Sequence, residues 1–424
     1  MDYRLQTRDI EPEEFALELE SLVYFQNILA QEPMQHYIDV LYEIDNGDET
    51  QIRLAYSSWN RSLMKNSVNQ SWAFWLMEQI VVSDNPFHEN MVQNAGWRHA
   101  LQRELFLLFV AMKLDGAQLS RYIEEESNLN TLPIYDVGQV LPRKPRAYTD
   151  AFIRLVQTVW KLEQPDFALW QQYFLANGSG LPSMYPVMYL EEFMLKGLVH
   201  WDWVRPEDIF DYNGNFKKLS QHIEHFLKTG EQSHILMYGD RGLGKEDGIK
   251  AQLAQFENQG LRLIWIRQDN VPTLPYLFRE LQLSPLRFLI FIDDVNFVHD
   301  DYAFLEFRHM LEGYSHVLPK NVLFCLSSRV KRFLPIRVED SSDKDANKIS
   351  HNFLQHFGLR LNYNAMNEEQ YIDTIYQLAR IENIKIPPED LREKAIAHAE
   401  KSGQRSIEEA RDFVRKVLAT AKDS

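Results

Sequence analysis

Cysteine is almost absent from this sequence, since Cys325 is the only one among its 424 residues. A single cysteine excludes an intrachain disulfide framework and is typical of proteins from a reducing compartment. The opening residues, MDYRLQTRDIEPEEFALELE, are acidic and lack the apolar segment of a signal peptide. We therefore expect a cytoplasmic protein.

Long hydrophobic runs are also missing. The most apolar early stretch is LFLLFVAMKL at residues 105–114, which is far shorter than the roughly 20 residues that a transmembrane helix needs. Charged residues flank this stretch on both sides. We interpret it as a buried helix of a globular domain, and we expect no membrane span.

Positive charge is in deficit. The 45 Lys and Arg residues against 61 Asp and Glu residues give a formal net charge of −16. Broad binding to DNA or to an anionic membrane needs a basic surface. A local basic channel can exist inside an acidic protein, but the overall balance argues against such partners. Nucleic acid is therefore not the expected partner.

The first part of the chain has no metal-ligand spacing and no Ser, Cys or His constellation of a nucleophilic enzyme. Its apolar residues follow a helical period with many large aromatics, as in SWAFWLMEQI at 71–80 and DAFIRLVQTVWKLE at 150–163. This pattern predicts an all-α domain over residues 1–204. The aromatic side chains form either its core or a groove for a peptide or partner helix. We expect this domain to bind a protein partner.

After residue 204 the pattern changes to short β-branched or aromatic strands that alternate with helices. Such alternation predicts a parallel sheet with helices on both faces. We expect an α/β domain over residues 205–365 and a helical lid over residues 366–424. The predicted strands are HILMY, LRLIWI, RFLIFI, NVLFCLS and GLRLNY, and the lid helices are predicted at about 367–381, 388–401 and 406–420.

The strand HILMY leads into a glycine-rich turn, GDRGLGK, and then into a helix. Glycines let the backbone adopt left-handed torsions that point its N–H groups inward, and the start of the helix adds the positive end of its dipole. The pattern predicts a phosphate-binding loop for ATP or ADP, in which Lys245 contacts the β- and γ-phosphates. The candidate nucleotide-binding residues of this loop are Gly239, Asp240, Arg241, Gly242, Leu243, Gly244 and Lys245.

Two acids follow the apolar strand in RFLIFIDDVNF. We expect Asp293 to hold Mg²⁺, directly or through water, and Asp294 to orient and deprotonate an attacking water. Paired acids at the end of a strand can also cap a helix or form a turn. The glycine-rich loop upstream favours the nucleotide site.

From about residue 213 to 420 the chain resembles an uncharacterised bacterial family of AAA+ P-loop ATPases. Members of that family carry YGDRGTGKS, DDLSF, LEGG…DNVL…ATSN and SDRFGL. The corresponding segments here are YGDRGLGKE, IDDVNF, LEGYSHVLPKNVLFCLSSR and LQHFGL. The resemblance implies an AAA+ α/β P-loop NTPase fold with a parallel sheet and a C-terminal helical lid, preceded by an all-α N-terminal domain. It also implies assembly into a homo-oligomeric ring.

The chain departs from this family at the positions to which the resemblance assigns catalysis. Glu246 replaces the hydroxyl residue that coordinates Mg²⁺. Arg329, or Ser328, stands where the family has the Asn that senses the γ-phosphate. His356 replaces the Arg that reaches a neighbour's nucleotide as an arginine finger, and losing that charge lowers the rate by roughly a thousandfold or more. Together these three departures predict impaired hydrolysis.

The side chain of Glu246 has three possible roles. A carboxylate can ligate Mg²⁺ and is favourable at a helix N-terminus, although its charge partly cancels that of Lys245 at the β-phosphate. It can instead pair with Lys245 and fill the loop itself. The third possibility is an exposed acid in a first helical turn.

The lid segment SGQRSIEEARDF places Arg405 at the start of a helix and Arg411 within it. The segment resembles SGRTARQF of the same family, whose lid arginines contact the γ-phosphate. The resemblance makes Arg405 the first candidate for this role and Arg411 the second. Surface ion pairing is the alternative for both.

Three functional hypotheses follow. The first, which we favour, is a nucleotide-binding AAA+ protein with impaired hydrolysis that acts on a protein partner through its helical domain. The second is a working ATPase that remodels protein complexes, with Glu246 on the metal and Arg360 or Arg337 as finger. The third is an interaction scaffold that binds no nucleotide. The polar stretch DSSDKDANK, at residues 340–348, is predicted to be a mobile loop.

Overall fold

The computed structural model describes residues 11–67, 69–83, 95–127, 132–142, 145–313, 318–329, 334–335, 351–381 and 388–422. The predicted loop at 340–348 and the alternative finger Arg337 lie outside these ranges. The chain divides into two compact units. The first comprises the described residues up to Pro186 together with Gly197–His200 and Leu283–Leu286, and the second comprises Val187–Lys196, Trp201–Gln282 and the described residues from Arg287 onward.

The first unit is built from helices. Local signals fix where they begin: the Asp48 side chain accepts hydrogen bonds from the backbone N–H groups of Thr50 and Gln51, and the Gln51 side chain bonds back to Asp48, which forms a capping box. The helices are α1 (Pro12–Glu20), α2 (Gln26–Leu29), α3 (Glu32–Asn46), α4 (Glu49–Asn66), α5 (Trp72–Val82), α6 (Ala95–Lys113), α7 (Gly116–Ser127), α8 (Asp150–Lys161), α9 (Phe167–Asn177) and α10 (Leu181–Met184).

Aromatic rings fill the core of this unit. Trp72 stacks on Tyr37 at 4.4 Å and on Trp75 at 5.2 Å between ring centroids, and it meets Trp59 edge-on at 5.5 Å. Its indole N–H donates to the carbonyl of Ala111 at 2.7 Å, which satisfies the one polar atom of the ring. These rings are fully buried. The prediction that they form core is confirmed for this cluster.

A carboxyl group is buried in the same unit. Glu78 of α5 is 8% exposed and accepts a hydrogen bond of 2.8 Å from the Tyr148 hydroxyl. Burial raises the pKa of Glu78 to about 7, because a carboxylate is poorly solvated there, while the hydrogen bond from Tyr148 opposes the shift. Protonation of this group therefore falls in the neutral pH range.

The second unit is organised around a seven-stranded sheet in the described part of the chain, in the order β2-β1-β4-β5-β6-β3-β7. The pairs β1/β4, β4/β5, β5/β6, β6/β3 and β3/β7 are parallel. The sheet's carboxyl-end edge therefore collects the loops that follow its strands. The strands are β1 (Val187–Glu191), β2 (Met194–Gly197), β3 (Ile235–Gly239), β4 (Leu261–Ile266), β5 (Arg287–Ile292), β6 (Val322–Ser328) and β7 (Leu359–Tyr363).

The five strands predicted from sequence correspond to β3 to β7. Strands β1 and β2 were not predicted, and they lie in the stretch that the sequence analysis assigned to the all-α domain. The reason is that VMYLE is a short apolar run without alternation, and periodicity alone does not distinguish such a strand from a helical turn. Parallel strands buried on both faces lack an alternating pattern.

Helices flank the sheet and follow it. The predicted lid helices are confirmed, and their apolar faces share one core that includes Tyr371, Leu391 and Phe413. The predicted parallel sheet, the helical region before it and the helices after it are all present in the described residues. The helices are α11 (Asn215–Thr229), α12 (Lys245–Phe256), α13 (Leu274–Leu281), α14 (Asp301–Leu311), α15 (Glu368–Ile381), α16 (Pro388–Ser402) and α17 (Ile407–Lys422).

Among the residues that the structure describes, no helix combines the length and the apolar character needed to cross a bilayer. The apolar stretch at 105–114 belongs to α6, and most of its side chains are buried in the first unit.

Candidate functional site

The glycine-rich loop connects the end of β3 to the start of α12 at the carboxyl-end edge of the sheet. Its first glycine, Gly239, has φ of 142°, and a Cβ atom there would lie 2.0 Å from the carbonyl oxygen of Tyr363 in β7. No side chain fits in that space. The sequence therefore needs glycine where the backbone turns away from the sheet.

The third helix of the lid contacts the loop directly. The backbone N–H groups of Ile407 and Glu408, at the start of α17, donate to the carbonyl of Gly242 at 3.0 and 3.3 Å. Gly242 has φ of 75°, and a Cβ atom on it would lie 2.9 Å from the Cβ of Glu408. This close approach joins the lid to the loop, and the sequence analysis did not predict it.

Lys245 is the first residue of α12 and is only 9% exposed. Its ammonium donates to the backbone carbonyl of Gly239 and, at 2.8 Å, to that of Asp240. Burial lowers the pKa of Lys245, and the nearby carboxylates of Asp293, Asp240 and Asp294 oppose the shift. The cation is therefore fixed over the loop and close to the acidic pair.

Asp293 follows β5, and the hydroxyl of Ser327, on the neighbouring strand β6, hydrogen-bonds its carboxylate. Burial raises the pKa of Asp293, and the negative charges of Glu246 and Asp294 raise it further. Three acids crowd this point of the cleft. A bound cation would relieve their mutual repulsion.

Asp294 has φ of 53°, a left-handed torsion that is uncommon for a residue other than glycine. Its carboxylate forms an ion pair of 2.6 Å with the Arg329 guanidinium, and the two side chains are 44% and 53% exposed. Arg329 follows directly on β6, the strand beside β5. Asp294, the acid that we expect to activate water, is therefore paired with Arg329, which stands at the position expected to sense the γ-phosphate.

Glu246 forms an ion pair of 2.8 Å with Lys250, one helical turn further along α12. The Lys250 ammonium also lies 5.2 Å from the centre of the Trp201 ring. The alternative in which Glu246 pairs with Lys245 is therefore not the arrangement observed. Glu246 still lines the same cleft as Asp293, so the alternative of metal ligation stays open.

These side chains meet in one cleft with a volume of ≈ 610 Å³. It joins the glycine-rich loop, the ends of β5 and β6, and the start of α17. Basic and acidic side chains are mixed along its wall. A bound phosphate group could therefore contact cationic side chains at only a few positions. The charged residues that line it are Arg241, Lys245, Arg329, Arg411 and Arg415 against Glu246, Asp247, Asp293, Asp294, Glu408, Glu409 and Asp412.

The sequence profile of the family described as "Protein of unknown function (DUF815)" matches residues 185–421, which is more than half of the chain. The chain belongs to this family. The match contains the whole cleft and begins just before β1. No curated protein matches the sequence.

The solved structures to which the DUF815 protein is similar match it over about half of the chain. They include the replication initiator DnaA bound to AMPPCP and single-stranded DNA, with 16% identity and a TM-score of 0.35 over 51% of this chain and 66% of that one. The ORC1 protein of Aeropyrum pernix in complex with DNA has 14% identity and a TM-score of 0.38 over 49% and 60%. A RuvB variant of Thermotoga maritima has 15% identity and a TM-score of 0.31 over 49% and 69%. The DUF815 protein thus spans less than two thirds of the first two.

The two lid arginines of the DUF815 protein take different positions. Arg411 lines the cleft and pairs with Asp247 of α12 at 2.8 Å. Arg405 precedes α17, and its carbonyl accepts a hydrogen bond from the N–H of Met366 at 3.1 Å. Among the described residues that line the cleft, Arg411 is present and Arg405 is not. The second sequence candidate is therefore nearer to the loop.

His356 lies at the opposite edge of the sheet. Its carbonyl accepts a hydrogen bond of 3.0 Å from the N–H of His234, which precedes β3, whereas the glycine-rich loop follows β3. At about 3.3 Å per residue, the length of β3 separates His356 from its own cleft by roughly 16 Å. His356 therefore does not line the cleft of its own chain. The alternative finger, Arg360, donates to the carbonyls of Leu354 and Phe357 of its own chain.

A smaller pocket adjoins the cleft and shares the loop with it. The segment before α11, the end of β7 and the lid complete its wall. The sequence analysis did not predict this pocket, although the hydrophobic residues before α11 were a signal for it. Apolar side chains on this wall include Ile209, Phe210, Phe216, Leu243, Met366 and Ile407.

Proposed function

We propose that the DUF815 protein binds ATP or ADP in its cleft and that its hydrolysis of ATP is impaired. One observation carries the proposal. The glycine-rich loop, Lys245 and the acidic pair Asp293 and Asp294 line a single cleft, and α17 of the lid is bonded to the loop at Gly242. This combination of a cation, loop amides and a helix start is what binding of a triphosphate requires.

The position of the nucleotide follows from the two connected spaces. Its phosphates would lie against the loop and Lys245 in the larger cleft. Its base would enter the smaller pocket, where the apolar side chains of Ile209, Phe210 and Met366 offer surface to a flat ring. Leu243 and Ile407 line both spaces and would lie beside the ribose.

Mg²⁺ would be held by Asp293 and, with the nucleotide, by Glu246. The donor set fits this ion, because Mg²⁺ prefers carboxylate oxygens and the acids at this point already repel one another. When bound, the ion would neutralise charge on the phosphate oxygens. Glu246 would first have to leave its ion pair with Lys250.

The impairment of hydrolysis is supported by two arrangements. One carboxylate oxygen of Asp294 is engaged by Arg329, so an attacking water would have to compete with the guanidinium for that oxygen. His356 stands where the resemblance places an arginine finger, and an imidazole lacks the permanent charge and the forked N–H donors with which a guanidinium stabilises the transition state. Both features leave nucleotide binding intact while they lower turnover.

The partner is proposed to be a protein that binds the first unit. Its segment 132–142 carries four exposed apolar side chains close together in sequence, and such a cluster is a common feature of protein-binding surfaces. These are Ile134, Tyr135, Val137 and Val140. We further propose that the protein assembles into a homo-oligomeric ring, in which His356 of one molecule faces the cleft of the next.

Titration calorimetry of the full chain with ATP and ADP, with and without Mg²⁺, tests the proposal. We expect micromolar binding of both nucleotides and tighter binding of ATP when Mg²⁺ is present. A protein that gives no heat with either nucleotide at millimolar concentration would contradict the proposal and support the interaction scaffold.

The double variant Glu246→Thr/Arg329→Asn is expected to gain ATPase activity. It restores a hydroxyl at the metal position and frees Asp294, so we expect phosphate release about tenfold faster than in the wild type. The measurement is Mg²⁺-dependent release of phosphate. A matched control is Arg392→Asn, which removes an exposed arginine that pairs with Glu368 outside the cleft. Rapid release by the wild type would instead support an active ATPase.

A further inference from the structure

A group of potential metal ligands joins two helices of the lid. His398 of α16 points its Nε2 atom at Glu409 and Asp412 of α17, at 3.3 Å from Oε2 of Glu409 and 3.6 Å from Oδ2 of Asp412. One ligand atom from each residue lies within 4.8 Å of the others. The two acids are three residues apart, so they share one face of their helix.

The distances match the edges of a zinc coordination tetrahedron. Zinc binds imidazole nitrogen at about 2.0–2.1 Å and carboxylate oxygen at about 2.0–2.2 Å. At a tetrahedral angle, two such bonds place the ligand atoms about 3.3–3.5 Å apart. The nitrogen of His398 is separated from the two carboxylate oxygens by almost this spacing.

The nitrogen is also buried without a satisfied hydrogen bond. The His398 side chain is 15% exposed, and its Nε2 atom has no partner of hydrogen-bond geometry among the described residues despite the two carboxylates nearby. Its ring packs on Phe413 with 5.6 Å between centroids, which restricts its rotation. Buried polar atoms normally have a partner, so this nitrogen points to a ligand between the three side chains.

We propose that the lid binds a divalent transition-metal ion of the zinc class through Nε2 of His398 and the carboxylates of Glu409 and Asp412. Imidazole together with carboxylate suits zinc and its first-row neighbours, whereas Mg²⁺ prefers oxygen ligands alone. The ion ties α16 to α17. Glu409 and Asp412 also line the cleft that contains the glycine-rich loop.

One neighbour competes with the ion. The Lys416 ammonium lies 2.6 Å from Oδ2 of Asp412, and it lowers the pKa of that carboxyl. The metal must displace this lysine or use the other oxygen of the carboxylate. Removing Lys416 therefore strengthens metal binding, which is the opposite of what loss of an ordinary surface ion pair does.

The test is titration of the metal-stripped full chain with Zn²⁺ in the absence of nucleotide. We expect one ion per chain with micromolar or tighter affinity, and Co²⁺ in its place should give the visible absorption of a tetrahedral site. His398→Gln should weaken Zn²⁺ binding at least tenfold and abolish the Co²⁺ band. Lys416→Gln should tighten binding.

His225→Gln is the matched control, because His225 also pairs with a glutamate, Glu231 at 2.9 Å, on an exposed helix end where the described residues offer no third ligand. It should leave Zn²⁺ affinity unchanged. Thermal unfolding in chelator shows whether the variants fold, and Zn²⁺ should raise the melting temperature of the wild type but not of His398→Gln. Absence of binding at micromolar Zn²⁺, or equal binding by wild type and His398→Gln, would overturn the proposal and leave an ion-paired histidine.

Discussion

Replacement of Lys245 by alanine is expected to weaken ATP binding by at least a hundredfold. The ammonium is the only lysine charge among the described residues of the cleft, and it stands where the β- and γ-phosphates would lie. Each hydrogen bond between charged groups contributes about 1.5–3 kcal/mol, so two such bonds correspond to roughly a hundredfold or more in affinity. Calorimetric titration of the variant with ATP measures the effect directly.

Two further variants distinguish the loss of the Lys245 charge from a loss of folding as the cause of weaker binding. Lys245→Met keeps most of the aliphatic stem in its buried position and should lose affinity to a similar extent. Lys228→Ala removes an exposed lysine that pairs with Glu224 on α11, and it should bind ATP like the wild type. If Lys245→Ala retains wild-type affinity while correctly folded, the phosphates do not lie on the loop and the proposed site is wrong.

The second large effect is on stability and arises from Glu78. The folded protein holds its pKa at about 7 against an ordinary value of 4.5, so the folded state binds the proton more tightly than the unfolded chain. The contribution of this group is complete below pH 4.5 and is lost as the pH rises through 7. The free energy of unfolding should fall over this interval by up to about 3 kcal/mol.

The variant Glu78→Gln should remove most of this dependence, because a neutral amide of similar shape can still accept the Tyr148 hydrogen bond. Urea unfolding followed by tryptophan fluorescence at pH 5 and pH 8 measures it, since Trp72 and Trp75 lie on the same helix. Glu49→Gln, on an exposed pair with Arg53, is the control and should follow the wild type. Parallel loss of stability in Glu78→Gln and wild type would show that Glu78 is ionised throughout.

Much of the α/β unit was predictable because local sequence and global fold agree. Strands β3 to β7 are short apolar runs bounded by glycine, proline or charged residues, and the lid helices have a clear helical period. Strand β1 was missed because its five residues carry no period of their own. These residues form a strand because they pair with β4, which lies some seventy residues further along the chain. A local sequence pattern does not indicate so distant a pairing partner.

The sequence predicts which residues form the glycine-rich loop and the acidic pair, but it does not predict which side chains they contact. The ion pair of Asp294 with Arg329 arises because β5 and β6 are neighbours in the sheet, so the residues after each strand meet. That adjacency depends on strand order, which the sequence does not state. Glu246 differs, because its partner Lys250 lies four residues further along α12, and the sequence analysis did not consider this local pairing.

The carbonyl of Gly242 accepts hydrogen bonds from two consecutive amides of the lid. Such a pair contributes roughly 1–3 kcal/mol, and both bonds must break before α17 can swing away from the loop. If ATP binds in the cleft and is hydrolysed slowly, as proposed, the opening of this hinge and not the chemical step would set the residence time of the nucleotide. Each nucleotide would then stay bound until the lid opens, and a partner protein that pulls the lid away from the loop would release it earlier.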